Sequence, residues 1–135
     1  MQLLNGVGFD RLETAVQAAN LRQGVISNNI ANVDTPYFKR SNVAFENMLQ
    51  AEMKDGVPDL QGKRTNSRHF VIGPTDGVPE PLVTTDENTV MNNNLNNVDI
   101  DSEMTQLANN QLRYNAYIEQ MNYLIKMKRT AVEGR

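Results

Sequence analysis

Cysteine and tryptophan are absent from this 135-residue chain, histidine occurs once, and aromatic residues make up only 6%. Without cysteine there is neither a disulfide framework nor a thiolate metal site, which fits passage between compartments and an ordinary reducing cytosol equally well. The hydrophobic content is 39% and is gathered in the terminal quarters. The core is therefore expected to be thin, the centre polar, and stability to come in part from partners. A strong charge of one sign is also missing. The net charge is −3 with Lys and Arg scattered rather than striped, which argues against nucleic acid as a partner. No apolar run approaches the ~18 residues of a membrane span, so direct membrane insertion is not expected. The opening Met1-Gln-Leu-Leu-Asn-Gly-Val-Gly has neither the basic nor the apolar region of a cleaved signal peptide.

The patterns of catalysis are missing as well. His69, the sole histidine, sits in a β-compatible run with no acidic pair at ligand spacing, and reads as a surface strand residue. Asp99, Asp101 and Glu103 alternate like oxygen ligands, but the central Gly and terminal bidentate Glu of a calcium loop are absent, and capping of a following helix explains them better. There is no Gly-rich phosphate loop, nucleophile elbow or buried carboxylate pair. No enzyme is expected, and no catalytic, cofactor-binding or metal site; the chain needs no cofactor.

What the chain does have is two long helical patterns, one at each end. Phe9, Leu12, Val16, Ala19, Gln23, Ile26, Ile30 and Val33 advance by three and four, a heptad seam interrupted once by a polar residue. A helix over about 10–32 would be roughly 35 Å long. Met104, Leu107, Gln111, Tyr114, Ile118, Met121 and Ile125 trace a second seam, on a helix opened by Asp99 and running to about Ala131. Facing seams predict a hairpin of paired helices, in which Gln23 and Gln111 either set the register or are simply solvated. Each helix also carries an apolar or small stripe on its far side, Ala18, Leu21 and Val25 on the first and Leu112, Ala116, Tyr123 and Met127 on the second. Two explanations remain open: ordinary exposed apolar residues, or contact with neighbouring subunits. Lys126, Lys128 and Arg129 read as complements to the helix C-terminus.

Between the helices the composition changes. Ser41 to Met53 has the spacing of a short helix, and Lys54 to Arg68 reads as a surface loop. His69-Phe70-Val71-Ile72 and Leu82-Val83-Thr84-Thr85 are strand candidates, and Thr89-Val90-Met91 after the Asp86 turn completes a small hairpin. Asn92 to Asn97 is too polar to pack and delivers the chain to the second helix. The expected fold is mainly α: N- and C-terminal helices paired as a coiled-coil-like hairpin, with a central loop-rich segment carrying a short helix and a small β-hairpin. The divisions are 1–33, 34–98 and 99–135.

The first helix stops in a distinctive phrase, Asn28-Asn29-Ile30-Ala31-Asn32-Val33-Asp34-Thr35-Pro36, followed by Tyr37, Phe38 and Lys39. Pro36 turns Thr35 away from helical dihedrals, and Asn32 suits a helix C-cap. This wording resembles the N-terminal signature of the bacterial flagellar rod and hook axial proteins. Asn97, Val98, Asp99, Asp101, Glu103 and Met104 resemble the start of the C-terminal helix in the proximal-rod branch of that family. The family usually places Gly where Tyr37 stands, which puts in question a turn that relies on Gly dihedrals.

The resemblance implies a structural subunit of the proximal rod, in which the terminal helices polymerise into a hollow shaft that transmits torque. The partners it implies are copies of itself, other flagellar rod proteins, a rod-to-membrane-ring adapter protein and the flagellar type III export apparatus, with export needing no cleaved signal. Another small rod subunit is the nearest alternative. A cytosolic helical-hairpin adapter or export chaperone is the alternative from a different class.

Overall fold

The computed structural model describes residues 6–54, 78–91 and 93–134. The order of elements is α1 (Val7–Ala31), β1 (Ser41–Ala44), α2 (Glu46–Lys54), β2 (Leu82–Thr85) and α3 (Ile100–Glu133). The fold is mainly helical. α1 and α3 lie antiparallel against each other, tied at one end by Asn29 and Glu103 and at the other by Lys128 Nζ, 5.5 Å from the centre of the Phe9 ring. The expected strand at His69–Ile72 and the loop that precedes it fall outside the described residues, apart from Lys54 at the end of α2.

Local chemistry accounts for the helix ends. Asp99 caps α3, its side chain accepting hydrogen bonds from the backbone N–H groups of Asp101 (3.0 Å) and Ser102 (3.4 Å). Gly134 closes the other end in the left-handed conformation, donating its N–H to the Thr130 carbonyl. Lys128 and Arg129 do not complement that end as expected. Lys128 reaches Phe9, and Arg129 pairs with Glu133 one turn on.

The small antiparallel sheet of the centre is present, but its strands are not the adjacent pair. β2 pairs with β1 in the register Ser41↔Thr85 to Ala44↔Leu82, instead of folding back on Thr89–Met91. The Asp86 carboxylate takes the N–H groups of Asn88 and Thr89 and the Thr89 hydroxyl, a turn that sends Met91 to the Asn96 carbonyl. The helix expected from Ser41 starts only at Glu46, because the Asn29 side chain holds both the N–H and the C=O of Ser41 in an extended backbone.

The helix seams are rotated from the expected ones. In α1 the buried positions are Ala15, Ala18, Ala19, Arg22, Ile26 and Asn29. Ala19 and Ile26 belong to the expected seam; Phe9, Leu12, Val16 and Ile30 are half-buried, and Gln23 is exposed. Phe45 causes the rotation. It is 1% exposed, packs on Ala15 and Ala18, and is flanked by Leu49 and Tyr117. Ala18 therefore lies in the chain's own core and not on an outer stripe. α1 packs against α3 and also against the β1–α2 unit, so a single heptad stripe does not describe what it buries.

In α3 only Glu103 and Asn110 are buried. Leu107, Tyr114, Ile118 and Met121 of the expected seam are half-buried, whereas Met104 is 53% and Ile125 42% exposed, and Gln111 faces solvent. The two seam glutamines therefore do not meet. The polar contact at that level is Asn110 Nδ2, which donates to the Ala19 carbonyl at 2.8 Å.

Candidate functional site

The two segments that carry the family wording are far apart in the chain and meet where α1 ends and α3 begins. Asn29, 1% exposed, uses its whole amide. Oδ1 accepts the Ser41 N–H at 3.0 Å, and Nδ2 donates to the Ser41 carbonyl at 2.8 Å and to Glu103 Oε2 at 3.1 Å. Glu103 is likewise buried. Its Oε1 makes no hydrogen bond but faces the Arg40 guanidinium at 3.4 Å, so the buried charge is compensated. Glu103 thus ties three segments together instead of serving the helix dipole alone.

Asn96 and Asn97 reverse the expectation of an unpacked polar linker. They are 0% and 4% exposed. Asn96 Nδ2 donates to the carbonyls of Asn32, Val33 and Thr35 at 2.9, 3.0 and 2.9 Å, and its Oδ1 accepts from Val98 N–H. Those carbonyls belong to the end of α1 and the turn after it, where helical partners run out. Asn97 Oδ1 accepts the Arg40 N–H, while its Nδ2 donates to the Asp86 carbonyl and Thr89 Oγ1. Val98, 2% exposed, supplies the apolar plug.

Around this knot the other motif residues make the turn. Asn32 Nδ2 donates back to the Asn28 carbonyl, and the Thr35 hydroxyl bonds Asn32 Oδ1. Phe38 N–H reaches the Thr35 carbonyl across Pro36 and Tyr37, with Tyr37 at φ 62°. Pro second and a left-handed residue third is the pattern of a type II turn, so the Gly-type conformation survives with Tyr in place. Ile30 and Phe38 are half-buried; Ala31, Asp34, Pro36, Asp101 and Met104 are exposed.

A second polar cluster braces α2 against both long helices. Arg22, 9% exposed, grips both carboxylate oxygens of Glu46 and also reaches the Val43 carbonyl; Arg113 Nη1 meets Glu46 Oε1 at 3.0 Å. Burial pushes the Glu46 carboxyl upward, but the Arg22 hydrogen bond, a backbone hydrogen bond and the charges of Arg22 and Arg113 together hold it below its ordinary value. Asp86 is also held low, first by the Thr89 hydroxyl.

Among the described residues no group of three or more acidic, His or Cys side chains is placed to hold a metal ion, and no helix is long and apolar enough to cross a membrane. Large apolar residues stay exposed on both long helices. Of the residues expected on the outer stripes, Leu112 is 70%, Tyr123 55%, Met127 48% and Leu21 39% exposed; Ala116 is exposed, and Val25 is half-buried in a groove with Leu21, Gly24 and Val83. Sequence reasoning missed Arg22 and Asn96 as buried residues. The signal for Arg22 was its place in the step Ala15, Ala18, Arg22, Ile26, Asn29, which is the face that packs.

The family described as flagella basal body rod protein matches residues 10–39. Along nearly its whole length the chain is similar to flagellar basal body rod protein FlgB of Bacillus subtilis (strain 168), 39% identical over 134 residues that cover 99% of this chain and 98% of that protein. Similarity to FlgB of Borreliella burgdorferi is 39% over 119 residues, covering 79% and 87%. For FlgB of Salmonella typhimurium it is 31% over 138 residues, covering 93% and 98%.

Proposed function

Because the chain belongs to the flagellar basal body rod family, as a rod protein of the FlgB type, we propose that it polymerises through its terminal helices into the hollow proximal shaft of the basal body and passes torque along it. Rod proteins of this family are structural and not enzymes, their place is the basal body rod, and they associate with other rod components. Within that frame, the finer partners are copies of this chain, the adjoining rod subunits, the adapter at the membrane ring and the type III export apparatus that delivers the subunit.

The observation that supports polymerisation is the outward side of α3. Leu112, Tyr123 and Met127 lie along it uncovered, with Ala116 between them. A rod that carries torque needs lateral contacts along the whole helix, and heterologous contacts that do not close build a helical assembly. A cytosolic adapter would present the same stripe to one partner only. Fractionation separates the two. Recovery of the chain with purified basal bodies is expected, and recovery solely as a soluble heterodimer would replace the rod reading with the adapter.

A further inference from the structure

The small sheet ends in an open edge. Ser41 directs both its N–H and its C=O to the Asn29 side chain, away from β2, so Ser41 and Thr85 are a pair that exchanges no backbone hydrogen bonds. The alternation of an antiparallel ladder makes Val43 and Val83 a second such pair, and the Asp86 N–H on the Arg40 carbonyl marks the bonded pair next in line. The backbone N–H and C=O groups of Val83 and Thr85 therefore point outward from β2 and have no partner among the described residues. All four residues of the strand are exposed. Proteins blunt such an edge with Pro, charge or a bulge, whereas this strand reads Leu82-Val83-Thr84-Thr85, a sequence suited to further pairing.

Beside that edge there is room for an inward side chain. Val83 lies on the α1 side of the sheet, as its buried neighbour Val43 does, and with Leu21, Gly24 and Val25 it walls an open groove of about 360 Å³. A methyl group added at Gly24 would meet no atom within 4 Å. A third strand laid along β2 turns alternate side chains toward α1, where one of them covers Leu21 and Val83, which are 39% and 44% exposed. Charge defines the segment. Glu80 and Glu87 stand exposed on either side of β2 and make no ion pair among the described residues. Two β2 edges from two copies, paired antiparallel, would set Glu80 of each against Glu87 of the other, a repulsive contact that makes a second copy of this edge a poor occupant. We propose that an extended segment of a different rod component, apolar at alternate positions and carrying Lys or Arg at its ends, adds to β2 as a third strand and lays one large aliphatic side chain over Gly24. Main-chain hydrogen bonds supply the affinity and the groove the selectivity. The contact rests on the reading of a rod subunit and joins unlike chains.

Hydrogen exchange reads the edge directly. The amides of Val83 and Thr85 are expected to exchange as open backbone in the isolated chain and to slow at least about tenfold in purified basal bodies. Slow exchange already in the isolated chain would mean that the chain covers its own edge, and overturns the proposal. Equally fast exchange in basal bodies overturns it and leaves the rod reading intact, whereas absence of the native chain from basal bodies overturns both. A photo-crosslinking residue in place of Glu87 is expected to join this chain to a different one, through a peptide that contains Lys or Arg; products made solely of two copies of this chain overturn the proposal. Two variants test the edge and the groove apart. Thr85→Pro removes one outward N–H, a change that edge strands tolerate, and Gly24→Leu fills the groove while favouring the helix. The isolated Gly24→Leu chain is expected to unfold at or above the native midpoint, and recovery of either variant with basal bodies to fall about tenfold, as for loss of a central interface contact. Full recovery of either variant overturns the proposal.

Discussion

Where α1 ends and α3 begins, Asn29, Asn96, Asn97 and Glu103 are buried and every one of them is hydrogen-bonded; from Gln111 to Gly134, α3 has no buried residue at all. The first region is a polar lock closed within one chain. The second is half of a helical pair whose outer side has no cover. A lock of buried amides is intolerant of substitution but fixes geometry, since each amide has one set of partners that satisfies it. An apolar stripe fixes little by itself and gains stability only when another surface arrives. The chain thus joins a self-contained end, which can orient the hairpin, to a long apolar face that the chain itself leaves uncovered.

The largest expected effect comes from opening the lock. Glu103→Leu removes the carboxylate from both Asn29 and Arg40 and leaves a half-satisfied amide facing an unpaired guanidinium. Breaking a buried ion pair costs about 3–5 kcal/mol. Because the Arg40 side chain keeps 26% access to solvent, the low end applies. Urea unfolding of the full chain should show a loss of about 3 kcal/mol, and a loss below ~1 kcal/mol would mean that the lock contributes little beyond its packing.

Much of the fold was legible in the sequence, and the misplaced helix seams and the unread polar lock share a cause. The helices, the Asp99 cap, the stop before Pro36 and the strand at Leu82–Thr85 each rest on local signals, and local signals survive tertiary context when nothing competes with them. The seams rest on apolar periodicity, which assumes that a buried position is an apolar one. Here Arg22, Asn29, Glu103 and Asn110 occupy buried positions because partners distant in sequence satisfy them. The same assumption made Asn96 and Asn97 a linker. Ala18 was misplaced for a related reason, since an alanine is silent about which neighbour it admits, and Phe45 supplied the neighbour. The wording Asn28 to Pro36 and Asn97 to Met104 pointed to a family without revealing that the two phrases bond to each other.

A smaller effect separates the lock from the brace at Glu46. The Glu46 carboxyl is held below its ordinary value of 4.5 in the folded chain, so the stability it contributes is fully present above that pH and is lost as pH falls through the depressed folded value. Glu46→Gln removes this contribution. Unfolding of the native chain and of Glu46→Gln, compared at pH 7 and then stepwise below pH 4.5, should show a native advantage that shrinks toward zero. Asp86 behaves the same way in both chains and cancels in the comparison. A difference that stays constant through the acid range would mean that Glu46 acts by shape and hydrogen bonding and not by charge.

The smallest effect on the isolated chain is expected at Leu112, and it is the sharpest test of the contrast between the two regions. Leu112 is 70% exposed on a stretch of α3 with no buried residue, so Leu112→Asp removes little packing and leaves the new carboxylate in water. Substitutions of that kind stay within about 0.5 kcal/mol, and Asp costs the helix interior a few tenths through propensity. Monomer unfolding should therefore hardly change. In an assembled rod the same carboxylate would have to give up its hydration against an apolar neighbour, at a cost of several kcal/mol unless it is neutralised or reaches water. Motility should fail while the secreted subunit level stays normal, because folding is untouched and only incorporation is blocked. Swimming at the native rate by a Leu112→Asp strain would make the stripe at that point ordinary surface. The lateral contacts of the rod would then have to lie nearer Tyr123 and Met127, or on the α1 groove beside Leu21 and Val25.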